Sequence, residues 1–169
     1  MERTGLSALC PTQILYISSV HYRLYQPCDL AQIYAIEEAC FQQPLRFPRA
    51  YMRELVSSAN AATWVAMEQE ELAGFAIVEW SSRDAEIIAY IDTIEVLAAR
   101  RKQGVGIELL RRVEDSARAA SANLIWLHVD VENAPAIRLY EAFGYLLQSR
   151  QEHFYPNGNT ALVYAKPLS

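Results

Sequence analysis

Gly104 and Gly106 follow the run Arg100-Arg101-Lys102-Gln103 and stand between two stretches of different periodicity. Before them, EIIAYIDTIEVL is rich in Ile, Val and Tyr and reads as a strand. Behind them, Val105, Leu109 and Val113 fall four residues apart with Leu110, Ala117 and Ala120 on an adjoining stripe, the pattern of an amphipathic helix. The next apolar segment, NLIWLHVDV, is again a strand. A strand that passes through a glycine turn into a helix and then into another strand is a βαβ crossover, so two neighbouring strands of the sheet must run parallel.

The flanking segments read differently. VHYRLYQP is a strand closed by Pro27, and Asp29 is the expected N-cap of a helix over LAQIYAIEEACF. QQPLRFP is a loop, and Pro48 opens a second helix, RAYMRELVSS. ATWVAMEQ, LAGFAIVEW and EIIAYIDTIEVL form an antiparallel meander. After NLIWLHVDV, the segment APAIRLYEAFGY places Ala136, Leu139, Tyr140 and Phe143 at helical spacing, with Gly144 as the stop. The tail is a hairpin turning near residues 156 to 159. The expected architecture is α+β: a mixed, mostly antiparallel seven-stranded sheet with four helices. Residues 1 to 18 read as an N-terminal extension and 19 to 169 as one domain.

Composition narrows the classes of function. With 169 residues, 52% of them apolar, one core suffices without disulfide or metal. Twenty acidic against fifteen basic residues, a net charge of -5, argue against general affinity for nucleic acid or anionic membranes. Cys10, Cys28 and Cys40 form no CxxC pair and lie near no histidine, as expected of buried, reduced thiols in a cytoplasmic protein and not of a metal site. No apolar run approaches the ~20 residues of a membrane span.

In so acidic a chain, three consecutive cations before a glycine pair point to a local anion site. Glycines let backbone N–H groups approach a phosphate, and the helix dipole adds positive potential at the same point. A P-loop would need Lys-Ser or Lys-Thr where Ile107 and Glu108 stand, and a dinucleotide fingerprint would need glycine at Leu109. Taken alone, the run is also compatible with an exposed basic turn.

Together with a second segment, the run resembles the GNAT superfamily of N-acetyltransferases. Arg101, Gly104 and Gly106 match its first motif, with Ile94 and Val96 at the preceding strand end and Ala98 where the family often has proline. Asn133, Ala136, Leu139, Tyr140 and Gly144-Tyr145 match its second motif. The resemblance covers about 150 residues and implies a sheet splayed between strands four and five. It also implies acetyl-coenzyme A as cosubstrate, its pyrophosphate on the N–H groups of Lys102, Gln103, Gly104, Val105, Gly106 and Ile107. Its pantetheine arm would lie along Ile94 and Val96 near Asn133, with the Tyr140 hydroxyl near the sulfur. The backbone around Val96 would hydrogen-bond the acetyl carbonyl.

Within that superfamily, the segments YIDTIEVLAARRKQGVG and IWLHVDVENAPAIRLYEAFGY are similar to N-terminal-amine acetyltransferases of proteins. Tyr90 and His128 occupy the positions of a tyrosine and histidine that act there through an ordered water. The bacterial ribosomal-protein alanine acetyltransferase is also similar, but with glutamate at the position of His128. The resemblance therefore leaves either His128 or Tyr90 as the base. Strand alternation puts Leu124, Trp126, His128 and Asp130 on one face. Pro44, Leu45 and Tyr155, with Phe154 beside it, fall where related enzymes contact the acceptor peptide. The implied partners are acetyl-coenzyme A and a protein or peptide N-terminus, with a homodimer left open. The alternatives are a small-molecule amine or lysine acceptor, or a non-catalytic acyl-coenzyme A binding module.

Overall fold

A computed structural model describes residues 19–168; the expected extension, residues 1 to 18, lies outside them. The strands are β1 (His21–Leu24), β2 (Ala61–Glu68), β3 (Glu71–Arg83), β4 (Glu86–Val96), β5 (Leu124–Asp130), β6 (Leu146–Gln151) and β7 (Ala161–Pro167). The α-helices are α1 (Leu30–Cys40), α2 (Arg49–Val56), α3 (Val105–Ala119) and α4 (Ala134–Ala142). The sheet order β1-β2-β3-β4-β5-β7-β6 is antiparallel except for β4 and β5, which pair in parallel as the crossover requires. Element types and their order match the sequence reading.

Two apolar layers sandwich the sheet. On one face α1 and α2 bury Ile33, Ile36, Met52 and Leu55 against Val65, Phe75 and Ile77. On the other, α3 and α4 bury Leu109, Leu110, Val113 and Tyr140 against Ala76, Val78, Ile91, Ile125 and Leu127. The β3–β4 connection is a two-residue turn with Asp84 and Ala85 both at positive φ, 50° and 66°, which lets the long strands pair up to the turn. Gly144, at φ 84°, ends α4: its N–H bonds the Glu141 carbonyl and the Tyr145 N–H reaches back to the Tyr140 carbonyl.

Two expectations are corrected. Asp29 does not cap α1 with its side chain. A short 3-10 turn, Pro27–Asp29, precedes the helix, and the Asp29 carboxylate accepts from Arg23 Nη1 and Nη2 (2.7 and 2.8 Å) and from the Gln26 N–H (2.7 Å). At 2% exposure a carboxylate needs a cation, and β1 supplies it. The cysteines are not buried as a group either: Cys28 is exposed and Cys40 half-buried, both free thiols.

Two irregularities position the site. Pairing of β4 with β5 covers only Ile88–Ile91 and Leu124–Leu127, so from Asp92 to Val96 one backbone edge of β4 has no strand beside it. The β3–β4 register also shifts at Asp92: Val78 faces Ile91 while Ile77 faces Thr93, leaving Asp92 as the extra residue of a bulge. The splay expected between strands four and five is this gap.

Candidate active site

The two faces of the sheet meet at the splay. On the α3–α4 face, Gly104 is the residue before α3, at φ 83°, a left-handed conformation that a side chain would strain. No side chain caps this helix, and its first i-to-i-4 bond runs from Glu108 N–H to the Gly104 carbonyl. The N–H groups of Val105, Gly106 and Ile107 are therefore left for a ligand, with the positive end of the helix dipole behind them. A Cβ on Gly106 would meet Val96 Cγ2 at 3.8 Å and Leu139 Cδ2 at 3.9 Å, so this residue joins the start of α3 to the end of β4 and to α4. An uncapped helix start of this form suits a pyrophosphate.

The cations of the run divide their work. Arg100 pairs with Glu68 of β2. Arg101 turns back, its Nε donating to the Val96 carbonyl (2.9 Å) and its Nη2 lying 3.8 Å from Cys40 Sγ, so it braces the end of β4. Gln103 Nε2 donates to the Ala99 carbonyl (3.0 Å). Lys102 is exposed. Ile94 and Val96 lie half-buried against the α3–α4 cluster, beside the open edge of β4. Asn133 caps α4, its Oδ1 accepting from the Ala136 N–H (3.3 Å), which leaves its amide hydrogens for another partner. Tyr140 is 7% exposed, edge-on to Tyr145, and burial pushes its hydroxyl pKa upward, with the nearby Tyr90 adding to the effect.

On the opposite face, the Tyr90 hydroxyl and His128 Nδ1 are 3.1 Å apart. They come from adjacent strands separated by 38 residues in sequence. His128 Nε2 is buried without a protein hydrogen-bond partner. Burial lowers the imidazole pKa from its ordinary value, the neighbouring Gln151 side chain partly opposing the shift. Burial raises Tyr90, with Asp92 the next contributor. Phe154 stacks on the imidazole at 4.1 Å and 14°, and Tyr155 packs edge-on to Phe154 at 5.0 Å. The β6–β7 loop thus closes over the dyad through a turn in which Gly158 N–H bonds the Tyr155 carbonyl (2.8 Å).

Pro44 is exposed and Leu45 half-buried on the α1–α2 loop. From this part of the chain, Tyr51 of α2 lies near enough to Tyr90 for the two hydroxyls to influence each other's ionisation. Sequence reading did not single out Tyr51, Glu79 or Asp92. Asp92 is detectable in the sequence as a carboxylate two residues after Tyr90, following the apolar run of β4. Burial and Glu79 push its carboxyl up to about 8, and its Oδ2 is buried without a partner.

Glu95 and Glu37 are 2% and 3% exposed. Glu95 accepts from the Thr93 hydroxyl (2.9 Å) and Glu37 from the Phe47 N–H (2.8 Å), leaving one oxygen of each buried without a donor. Burial together with the neighbouring Glu37 raises the Glu95 pKa far above the ordinary range, so that Glu95 keeps its proton at neutral pH and can offer it to Glu37. This pair ties α1 and the loop before α2 to β4, one residue from Val96.

The fold and the match to an acetyltransferase (GNAT) family model over residues 30–145 place this chain in the GNAT acetyltransferase family, and it is an acetyl-coenzyme A-dependent N-acetyltransferase. An N-alpha-acetyltransferase of Sulfolobus acidocaldarius is 30% identical over 155 residues, covering 86% of this chain and 91% of its own. The histone acetyltransferase MCC1 of Arabidopsis thaliana is 27% identical over 178 residues, covering 92% and 68%. The streptothricin acetyltransferase of Streptomyces lavendulae is 39% identical over 88 residues, 52% of this chain and 46% of its own. Among solved structures, Arabidopsis thaliana NAA60 in complex with acetyl-CoA superposes with a TM-score of 0.81 at 22% identity, over 89% of this chain and 99% of that one. The ribosomal-protein-S18-alanine N-acetyltransferase of Escherichia coli superposes at 0.78 with 24% identity, over 89% and 95%. Among the described residues no helix is long and apolar enough to cross a membrane.

Proposed function

We propose that this enzyme acetylates the N-terminal α-amine of a protein or peptide, with His128 as the base. The observation that carries the reading is the Tyr90–His128 contact at the mouth of the β4–β5 splay, covered by Phe154. The kinship with N-alpha-acetyltransferases supports it.

Acetyl-coenzyme A supplies an activated acetyl group as its thioester. The N–H groups at the start of α3 hold the pyrophosphate, and the open edge of β4 orients the arm beside Ile94 and Val96. In the net reaction an N–C bond forms as the C–S bond breaks, one proton leaves the amine and one goes to the sulfur. Burial moves the two dyad members apart: Tyr90 keeps its proton at neutral pH while the lowered pKa of His128 leaves it neutral, able to accept a proton directly or through water. Tyr90 therefore orients the ring. An α-amine, with pKa ~8 against ~10.4 for lysine, needs only such a weak base. Tyr140, held protonated by burial, donates a hydrogen bond toward the departing sulfur.

Peptides with a free α-amine should be acetylated, and the same peptides blocked at the α-amine but bearing an internal lysine should not. Equal turnover of both, measured by thiol release, would overturn the reading. The streptothricin acetyltransferase match favours the second reading, a small-molecule amine. An aminoglycoside or polyamine turning over faster than every peptide would establish it.

A further inference from the structure

Beside the dyad lies a cavity of about 320 Å³ lined by Glu79, Trp80, Ser81, Ile88, Tyr90 and Trp126. Register explains its shape. Glu79 of β3 pairs with Tyr90 of β4, which pairs with Trp126 of β5, so one cross-strand row carries a carboxylate, a phenol and an indole on the face that bears His128. Ser81 and Ile88 form the next row. The Tyr90 and Trp126 rings are 4.7 Å apart, and Trp126 lies 5.2 Å from His128, so the aromatic wall runs without a break from the cavity to the base.

Nothing among the described residues neutralises this wall. Neither Glu79 nor Asp92 forms a salt bridge there, although Asp29, Glu68, Glu108 and Glu114 each have an arginine or lysine. Asp92 stands two residues beyond Tyr90, close enough to Glu79 for the two charges to repel. A carboxylate beside half-buried aromatic rings that line a cavity suits an alkylammonium or guanidinium group, which gains from the ring quadrupoles and from the ion pair. An apolar side chain filling the same space would leave Glu79 desolvated and unpaired. A larger hollow of about 470 Å³ lies at the sheet edge beside the end of α3 and includes no member of the dyad.

We propose that this cavity is a cation subsite of the acceptor: Glu79, Tyr90 and Trp126 bind a second positive group that the substrate carries near its reacting amine. Resting on the peptide reading above, the inference makes the preferred acceptor an N-terminus with a lysine or arginine among its first residues. A free polyamine offers the same chemistry without the peptide.

The test uses three free-amine peptides identical except for lysine, norleucine or glutamate at the second or third position, with spermidine as a fourth acceptor. The expected result is a KM for the lysine peptide about tenfold below that for norleucine, the glutamate peptide being poorest, since a partly desolvated charge pair is worth about that factor. In Glu79→Gln the lysine-to-norleucine ratio should collapse toward one. Because the ratio is internal to each protein, it does not depend on how much of the variant folds. Equal KM values in the wild type, or an unchanged ratio in Glu79→Gln, overturn the subsite and leave the α-amine reading intact. Spermidine consumed faster than every peptide, with the same loss in Glu79→Gln, upholds the subsite and overturns the peptide reading.

Discussion

The two faces of the sheet meet at one gap but are built from different materials. On the α3–α4 face the proposed cosubstrate site is made of backbone: uncapped N–H groups at the start of α3, an unpaired edge of β4 and a glycine that lets these elements touch. On the other face the proposed acceptor site is made of side chains, with Glu79, Tyr90, Asp92, Trp126 and His128 arranged over three strands and Phe154 lowered onto them by a loop. Backbone recognition suits a ligand that every family member shares. Side-chain recognition can change from one enzyme to the next without disturbing the first. A change on one face should therefore leave the function of the other nearly untouched.

The largest expected effect lies on the backbone face. Gly106→Ala should fold and bind acetyl-coenzyme A, since its Cβ would make only ordinary contacts. Gly106→Asp should lose binding below detection in calorimetry, because a carboxylate then occupies the positive end of the helix. Equal affinities in the two variants would separate the anion site from the start of α3.

On the side-chain face, His128→Ala should lower kcat/KM by about 10² while acetyl-coenzyme A affinity stays unchanged. His128→Glu should keep more activity than the alanine variant, since a carboxylate on the same face also accepts a proton. Should both retain wild-type rates with chemistry limiting, the base lies elsewhere.

The pH profile gives a smaller, directional effect. Protonation of the acceptor amine lowers kcat/KM below pH ~8. Because burial depresses the His128 pKa, its own protonation should appear only below the ordinary imidazole range, as a steepening of the acid limb toward a slope of two. His128→Gln should lose that steepening and keep the amine limb.

The smallest effect is on stability. Glu95 is raised in the folded chain, so the folded state binds the extra proton more tightly than the unfolded one. Stability is then fullest below the ordinary carboxylate pKa and declines as pH rises above it. Glu95→Gln should flatten the decline, raising the melting temperature at pH 8 by ~3 °C, about 1 kcal/mol, with little change at pH 4. A parallel pair of curves would mean that the two carboxyls share no proton.

The contrast between the faces also governs what could be read in advance. Gly104 and Gly106 sit in a short segment whose internal spacing encodes a turn and a helix start, so that part of the proposed cosubstrate site is legible as local pattern, whereas Asn133 and Tyr140 join it only through the family resemblance. Tyr90 and His128 were found because strand alternation and resemblance to a family put them in register. Glu79 stayed hidden: nothing local distinguishes it from a glutamate near the end of a half-exposed strand, and only pairing with Tyr90 aims it at the cavity. Arg101 shows the opposite limit, since a cation in a phosphate motif turns out to brace the Val96 carbonyl.

Amino-acid order alone decided the elements, their sequence along the chain and the crossover that makes β4 and β5 parallel, because periodicity, caps and glycine turns are short-range and act within about one helical turn or one strand pair. Which carboxylates lie together was decided by register and packing. Glu37 meets Glu95 across 58 residues, and Glu79, Tyr90 and Trp126 share a row only after three strands align. The physical reason is that a carboxylate on a strand can be solvated, paired or protonated, and burial against its neighbours selects among these states.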